Sequence, residues 1–290
     1  MNNLVFSATV FAGSLVAGFV GSLTGLGGGV VIVPLLTIAF GVNIRYAIGA
    51  SLISVIATSS GAAAAYVREG FSNVRIGMLL EIATSLGALI GAAVAAFVPT
   101  AGLAILFGAV LLGSVFAPVN KKEETKTPEP RDSDSLAGDA SRHHTLAARL
   151  HLNSRYPGPN GMTPYNVRRI PLGFGIMGIA GMLSGLLGIG SGAVKVLAMD
   201  LAMGLPFKVS TTTSNFMIGV TAAASAGVYL HRGYIDPGLA MPVTLGVAAG
   251  SLTGAKLLAT AGSRQLRMLF RVVILALGVE MIYNGWTGRV

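Results

Sequence analysis

Apolar residues gather in ten stretches along this chain, with polar residues collected between them. The stretches fall near residues 4–24, 28–40, 46–68, 75–98 and 101–118, then near 170–187, 191–203, 209–231, 238–259 and 265–286. A helix needs about 20 residues to cross the hydrocarbon of a bilayer. The second stretch of each set is too short for that. Joined at the glycines between them, the first and second stretches of each set read as a helical hairpin that dips into the membrane. Irregular backbone at that depth is tolerated only where protein or a water-filled cavity surrounds it.

The two sets repeat one another. Gly25-Leu26-Gly27-Gly28-Gly29 lies 163 residues before Gly188-Ile189-Gly190-Ser191-Gly192, and the register holds without a gap. Gly18 meets Gly181, Gly41 meets Gly204, Ser51 meets Ser214, Tyr66 meets Tyr229, Gly87 meets Gly250 and Gly91 meets Gly254. An internal duplication explains so long a match at one offset. In a membrane chain, duplicated halves with glycine-broken segments mark a transporter core, with the binding site where the broken segments meet. The chain thus divides into a first membrane repeat (1–118), a linker (119–168) and a second membrane repeat (169–290). Lys121 to Asp134 is charged and carries prolines, so the linker is predicted to be largely disordered. Leu146 to Leu152 has the makings of a short surface helix, and Tyr156 to Gly161 is turn chemistry.

Composition fixes the class. Hydrophobic residues make up 53% of the chain and charged residues 11%, a balance that suits a bilayer and not a soluble core. The net charge of +9 is therefore read as topology and not as affinity for nucleic acid. If each hairpin returns to its starting side and three segments cross, the halves are inverted. With the linker inside, Arg68, Arg75, nine linker residues, Lys208, Arg264 and Arg267 are cytoplasmic. Only Arg45, Arg232 and Arg289 face outward. The positive-inside bias favours that arrangement, with both termini outside. The predicted fold is all-α: a polytopic helical bundle of two inverted repeats, each opening with a glycine-broken hairpin. Its place is the plasma (inner) membrane. The start of the chain, Met1-Asn2-Asn3-Leu4, has no basic n-region, so the first apolar segment is expected to remain as a membrane helix. The absence of cysteine excludes disulfide and thiolate chemistry.

Anion chemistry is the candidate function of the glycine tips. A helix that starts just after each tip offers free N–H donors and the positive end of its dipole. Two such ends, at Gly25, Gly27, Gly28 and Gly29 and at Gly188, Gly190, Ser191 and Gly192, would form a midplane anion site. Close helix packing is the plainer role for these glycines. Ser51 and Ser214, register partners on the third segments, and Asn215 beside them, are donors suited to oxyanions or to bonding between helices. Lys195 stands five residues beyond Gly190, where its partner in the first half is Ile32. An intramembrane charge usually marks a pathway or a pair. Lys195 is placed in the site, with snorkelling to the cytoplasmic face as the alternative. For Glu81 and Lys256 a structural ion pair or snorkelling outweighs a proton relay. The histidines do not make a metal site, no nucleophile–base pair suggests catalysis, and no cofactor is implied. Gly25 to Gly29 lacks the strand and acidic residue of a dinucleotide loop.

At Gly18-Phe19-Val20-Gly21-Ser22-Leu23-Thr24-Gly25-Leu26-Gly27-Gly28-Gly29, Val33-Pro34, Ala47 to Leu52 and Gly185 to Gly192, the chain resembles the TauE/SafE sulfite exporters, also called TSUP transporters. The resemblance covers both membrane halves but not the linker. It implies a carrier, and by the family's habit an exporter, of small sulfur-containing or carboxylated anions such as sulfite, sulfoacetate or related sulfonates. Partners are then a small anion, the lipid bilayer and a possible coupling proton. Leu197 in place of Pro34 and Lys195 in place of Ile32 depart from a symmetric pattern. A passive anion channel is the nearest rival, and a membrane enzyme a distant one, since no paired carboxylates or metal cluster are present.

The topology is open to test by cysteine labelling, because the chain has no cysteine of its own. A cysteine placed in residues 119–168 should resist an impermeant maleimide applied to intact cells and react after lysis. Labelling from outside would overturn the inside linker.

Overall fold

The computed structural model describes residues 3–22, 28–68, 72–116, 150, 152, 154–158, 161–258 and 263–288. The first half consists of α1 (Asn3–Ser22), α2 (Gly29–Pro34) running into a π turn (Leu35–Ala39), α3 (Ile44–Arg68), α4 (Val74–Ala95) and α5 (Thr100–Phe116). The second consists of α6 (Ile170–Leu187), α7 (Gly192–Leu197) with a π turn (Ala198–Ala202), α8 (Phe207–His231), α9 (Pro237–Leu258) and α10 (Ser263–Thr287). Adding 163 to the bounds of α2, its π turn, α3 and α4 gives the bounds of α7, its π turn, α8 and α9 residue for residue. Leu4–Gly21, Val74–Ala95 and Ile170–Leu187 are long and apolar enough to cross a bilayer.

The short second helices end alike. Gly41 (φ 62°) and Gly204 (φ 70°) take the left-handed conformation that lets a chain leave a helix. The Val42 N–H then reaches back to the Leu36 carbonyl, and the Leu205 N–H to the Met199 carbonyl, each at 3.0 Å. The six helical and five π residues of α2 rise about 16 Å, roughly half the hydrocarbon thickness. A re-entrant arm fits that length and a full crossing does not.

Packing exchanges the halves. α1 lies along α9, and α4 along α6, so each seam joins one half to the other. A Cβ on Gly18 would strike the Val247 backbone, and one on Gly181 the Thr84 backbone. Gly87 meets Gly178 and Met182; Gly250 meets Leu15 and Phe19. Each pair of contacts is the other displaced by the repeat. Such reciprocity is the pattern of a two-fold relation between halves. Small residues at these positions bring backbones into dispersion contact, the main attraction left between helices where lipid is as apolar as the side chains.

The ends of α4 are tied from both halves. At its C-terminus, Arg232 Nη1 donates to the Ala92 and Ala93 carbonyls (both 3.1 Å). Arg45 Nη2 donates to Ala96 and Val98 (3.3 and 3.0 Å). At its N-terminus, Asn73 Oδ1 accepts from the Ile76 N–H (3.1 Å), capping the helix. Asn73 Nδ2 donates to the Leu152 carbonyl (3.2 Å) and the Tyr165 hydroxyl (2.7 Å). The end of the linker is therefore structured: β1 (Ser154–Gly158) pairs antiparallel with β2 (Gly161–Tyr165), with the expected turn between them. Burial pushes the Tyr165 phenol above its ordinary pKa, against the hydrogen bonds from Asn73 and Ser154. The surface helix read at 146–152 lies outside the described residues, apart from Leu150 and Leu152.

The seams predict a paired outcome. Gly181→Ala should lower stability by about 1–3 kcal/mol, the usual cost of overpacking. Gly227→Ala, where a Cβ meets nothing within 4 Å, should cost nothing. Thermal unfolding of both in detergent checks this, and equal melting points would remove the seam as a tight contact.

Candidate functional site

The second tip turns by left-handed backbone. Gly188 (φ 68°), Gly190 (φ 71°) and Ser191 (φ 45°) all have positive φ between α6 and α7. Glycine takes this conformation freely, whereas at Ser191 it costs on the order of 1–2 kcal/mol. Ser191 Oγ is buried and has no hydrogen-bond partner.

The tips meet at the centre. A Cβ on Gly29 would stand 2.9 Å from the Gly188 carbonyl oxygen and 2.9 Å from Val55 of α3. Gly192, the register mate of Gly29, packs the same way on Ile218 of α8, the mate of Val55, at 2.8 Å. Ser51 Oγ donates to the Gly188 carbonyl (2.8 Å) and Ser214 Oγ to the Gly192 carbonyl (3.2 Å). The long helices α3 and α8 thus hold the second tip through side-chain hydroxyls. Gly28 faces Val247 of α9. Asn215 is half-buried beside Ser214. Gly25 and Gly27 lie outside the described residues.

Lys195 does not snorkel. It is fully buried on α7, one turn beyond the tip, with its N–H bonded to the Ser191 carbonyl (3.1 Å). Nζ donates to Thr221 Oγ1 on α8 (2.6 Å). Thr221 Oγ1 also lies 2.7 Å from Glu81 Oε1 on α4 and 2.9 Å from the Met217 carbonyl. A hydroxyl has one proton, so Thr221 donates either to the carboxylate or back into its own helix. Ser85 Oγ donates to the same Glu81 oxygen (2.9 Å). Glu81 Oε2 is buried without a partner.

A buried cation and a buried carboxylate, bridged by a hydroxyl, join both halves of the molecule. The reading of Glu81 as a charge at the cytoplasmic end, tied up in an ion pair or snorkelling, gives way to this bridge. Sequence reasoning missed Thr221, whose place opposite Glu81 depends on how α4 packs on α8. The available signal was that Glu81 and Lys195 are opposite charges inside apolar stretches. Lys256 and Arg271 lie outside the residues whose side chains are described.

A family model, "Sulfite exporter TauE/SafE", matches residues 10–281. The chain belongs to that family. It is 27% identical over 286 residues to the probable membrane transporter protein YunE of Bacillus subtilis, covering 93% of this chain and 95% of that one. YdhB of the same organism, also a probable membrane transporter protein, is 26% identical, covering 85% and 86%. A probable membrane transporter protein of Xylella fastidiosa is 25% identical, covering 97% of each. No solved structure matches the chain. The protein is therefore a multi-pass membrane transporter of the TauE/SafE type. Its family match spans both halves and the tips between them.

The bridge has a measurable worth in a TauE/SafE protein of this design. Thr221→Val removes the hydroxyl and leaves Lys195 Nζ and Glu81 Oε1 each short of a partner, at about 1–3 kcal/mol per orphaned group. Thr221→Ser should keep most of the stability. Melting curves in detergent distinguish them, and a Thr221→Val protein as stable as wild type would show that the bridge carries no weight.

Proposed function

We propose that the chain is a secondary carrier of small organic or sulfur-containing anions, such as sulfite, sulfoacetate or related sulfonates. The anion sits between the tips, within reach of Lys195. One observation carries this reading. Thr221 takes one of the three protons of the Lys195 ammonium, and no acceptor meets the other two among the described residues. A buried cation with donors to spare, one turn from the unpartnered Ser191 hydroxyl, suits an oxyanion.

Ser51 and Ser214 position the tip in this scheme, since both hydroxyls are spent on its carbonyls. The halves stand inverted in the bilayer, with the linker on the cytoplasmic side, and exchange access by rocking about the tips. The family description names sulfite export, which sets the substrate class to try first.

The test is uptake and binding by purified protein in liposomes, with sulfite, sulfoacetate, methanesulfonate, thiosulfate, sulfate and small carboxylates. Saturable counterflow marks a carrier, and flux without saturation a channel. Lys195→Met should weaken binding of the preferred anion by the worth of a charge-assisted bond, roughly 1.5–3 kcal/mol, or about 10- to 150-fold. Equal dissociation constants for wild type and Lys195→Met would remove Lys195 from the site.

A further inference from the structure

Glu81 has the geometry of a group that answers to Lys195 occupancy. It is buried on α4, one oxygen is linked through Thr221 to Lys195, and the other is unpartnered. The surrounding elements bring no second cation to it. α6, packed along α4, has no titratable side chain between Ile170 and Leu187. On α8 the titratable residues are Lys208 at the start and Tyr229 and His231 at the end. α7 brings Lys195, and the π turn beyond it Asp200. On α4 itself Arg75 stands in the first turn, six residues from Glu81. The charge that acts on Glu81 is Lys195.

The first half lacks this set. The register partners of Lys195, Thr221 and Glu81 are Ile32, Thr58 and Thr244. Ile32 is fully buried and Thr58 bonds within its own helix, to the Ser54 carbonyl at 2.9 Å. The duplication does not require the charged trio, so packing alone does not account for it.

We propose that Glu81 is the proton-coupling residue, taking up one proton for each monovalent anion that binds Lys195. This deepens the anion-carrier reading and rests on it. The argument is charge balance in a dry interior, where a net buried charge is costly. In the empty site Lys195 is balanced by the Glu81 carboxylate through Thr221. When an anion takes the ammonium, Glu81 is left as a second negative charge with no cation of its own. A proton from the water on the open side then forms an O–H bond at Oε2, and Thr221 is free to donate to the Met217 carbonyl. Both the empty and the loaded site are neutral, so transport is electroneutral and insensitive to membrane potential. Export down the anion's own gradient takes a proton out with each anion.

The sign follows by linkage. Because the loaded state holds one more proton than the empty state, anion affinity rises as pH falls, by about tenfold per pH unit at most. Methanesulfonate is the probe, because a sulfonate stays ionised throughout and any proton that moves belongs to the protein. In detergent between about pH 5.5 and 8.5, wild-type affinity should climb on acidification. Glu81→Gln keeps an acceptor for Thr221 and Ser85 but cannot take a proton, so its affinity should be flat and near the acid-side wild-type value. Independently of that variant, adding methanesulfonate to weakly buffered wild-type protein with a pH dye should remove about one proton per anion bound. A flat wild-type profile, no proton uptake, or a pH slope that survives in Glu81→Gln would overturn the proposal. Failure of wild type to bind methanesulfonate would also overturn it, while saturable transport of other anions by the same protein would leave the carrier reading intact.

Discussion

Backbone lies directly against backbone where α1 meets α9 and where α4 meets α6, and the position of everything between depends on those two seams. In lipid there is little hydrophobic drive to bring helices together, so their association rests on the density of contact. Gly18, Gly87, Gly181 and Gly250 supply it, each at a place where a methyl group would strike the opposing chain. Each seam joins the first half to the second, so neither half completes its packing alone. The tips descend from helices fixed in this way, α1 and α6, and are brought together as a consequence. Gly29 against the Gly188 carbonyl is the result.

Duplication fixed the frame and left the chemistry free to diverge. The π turns, the left-handed glycines after them and the hydrogen bonds from Val42 and Leu205 are the same in both halves. The charged trio is not. Ile32 is as fully buried as Lys195, so the site at that depth accommodates an aliphatic side chain without difficulty. A buried ammonium there spends stability that an isoleucine would not, since burying an ion pair in place of well-packed apolar groups is often neutral or unfavourable. That imbalance between mates is an argument for function in the second half.

Much of the architecture was legible from the sequence, because glycine and apolar length are local signals. The ten segments lie within a few residues of their helices, and the offset of 163 reappears in the helix bounds. The shortness of α2 and α7 followed from residue count alone. The left-handed turn at Gly188 and Gly190 was signalled by the glycines, but Ser191 at φ 45° was not, since nothing in its sequence marks a strained backbone. The β-hairpin at 154–165 was visible only as turn residues, because its strands carry too little apolar alternation to stand out. Lys195 was found as a charge in an apolar stretch. Its partners were not, because Thr221 and Glu81 meet it only through the packing of three helices, which no spacing in the sequence encodes.

The hydroxyls divide into two kinds of work, and the division bears on selectivity. Ser51 and Ser214 donate to tip carbonyls, where they satisfy acceptors that the broken helix leaves open and so fix the shape of the turn. A hydroxyl committed in that way has no proton left for a ligand. Thr221 is placed differently, between a cation, a carboxylate and a carbonyl of its own helix. Its one proton has two acceptors in range, and the choice between them is set by the charge on Glu81. Recognition of an anion at the tips is then carried by charge, through Lys195, and by the unpartnered Ser191, and not by a shell of hydroxyls. A site selecting by one buried cation admits any small anion of matching charge and bulk. Discrimination among sulfite, sulfonates and carboxylates then falls to the apolar walls of α3 and α8, where Val55 and Ile218 face the tips from opposite halves.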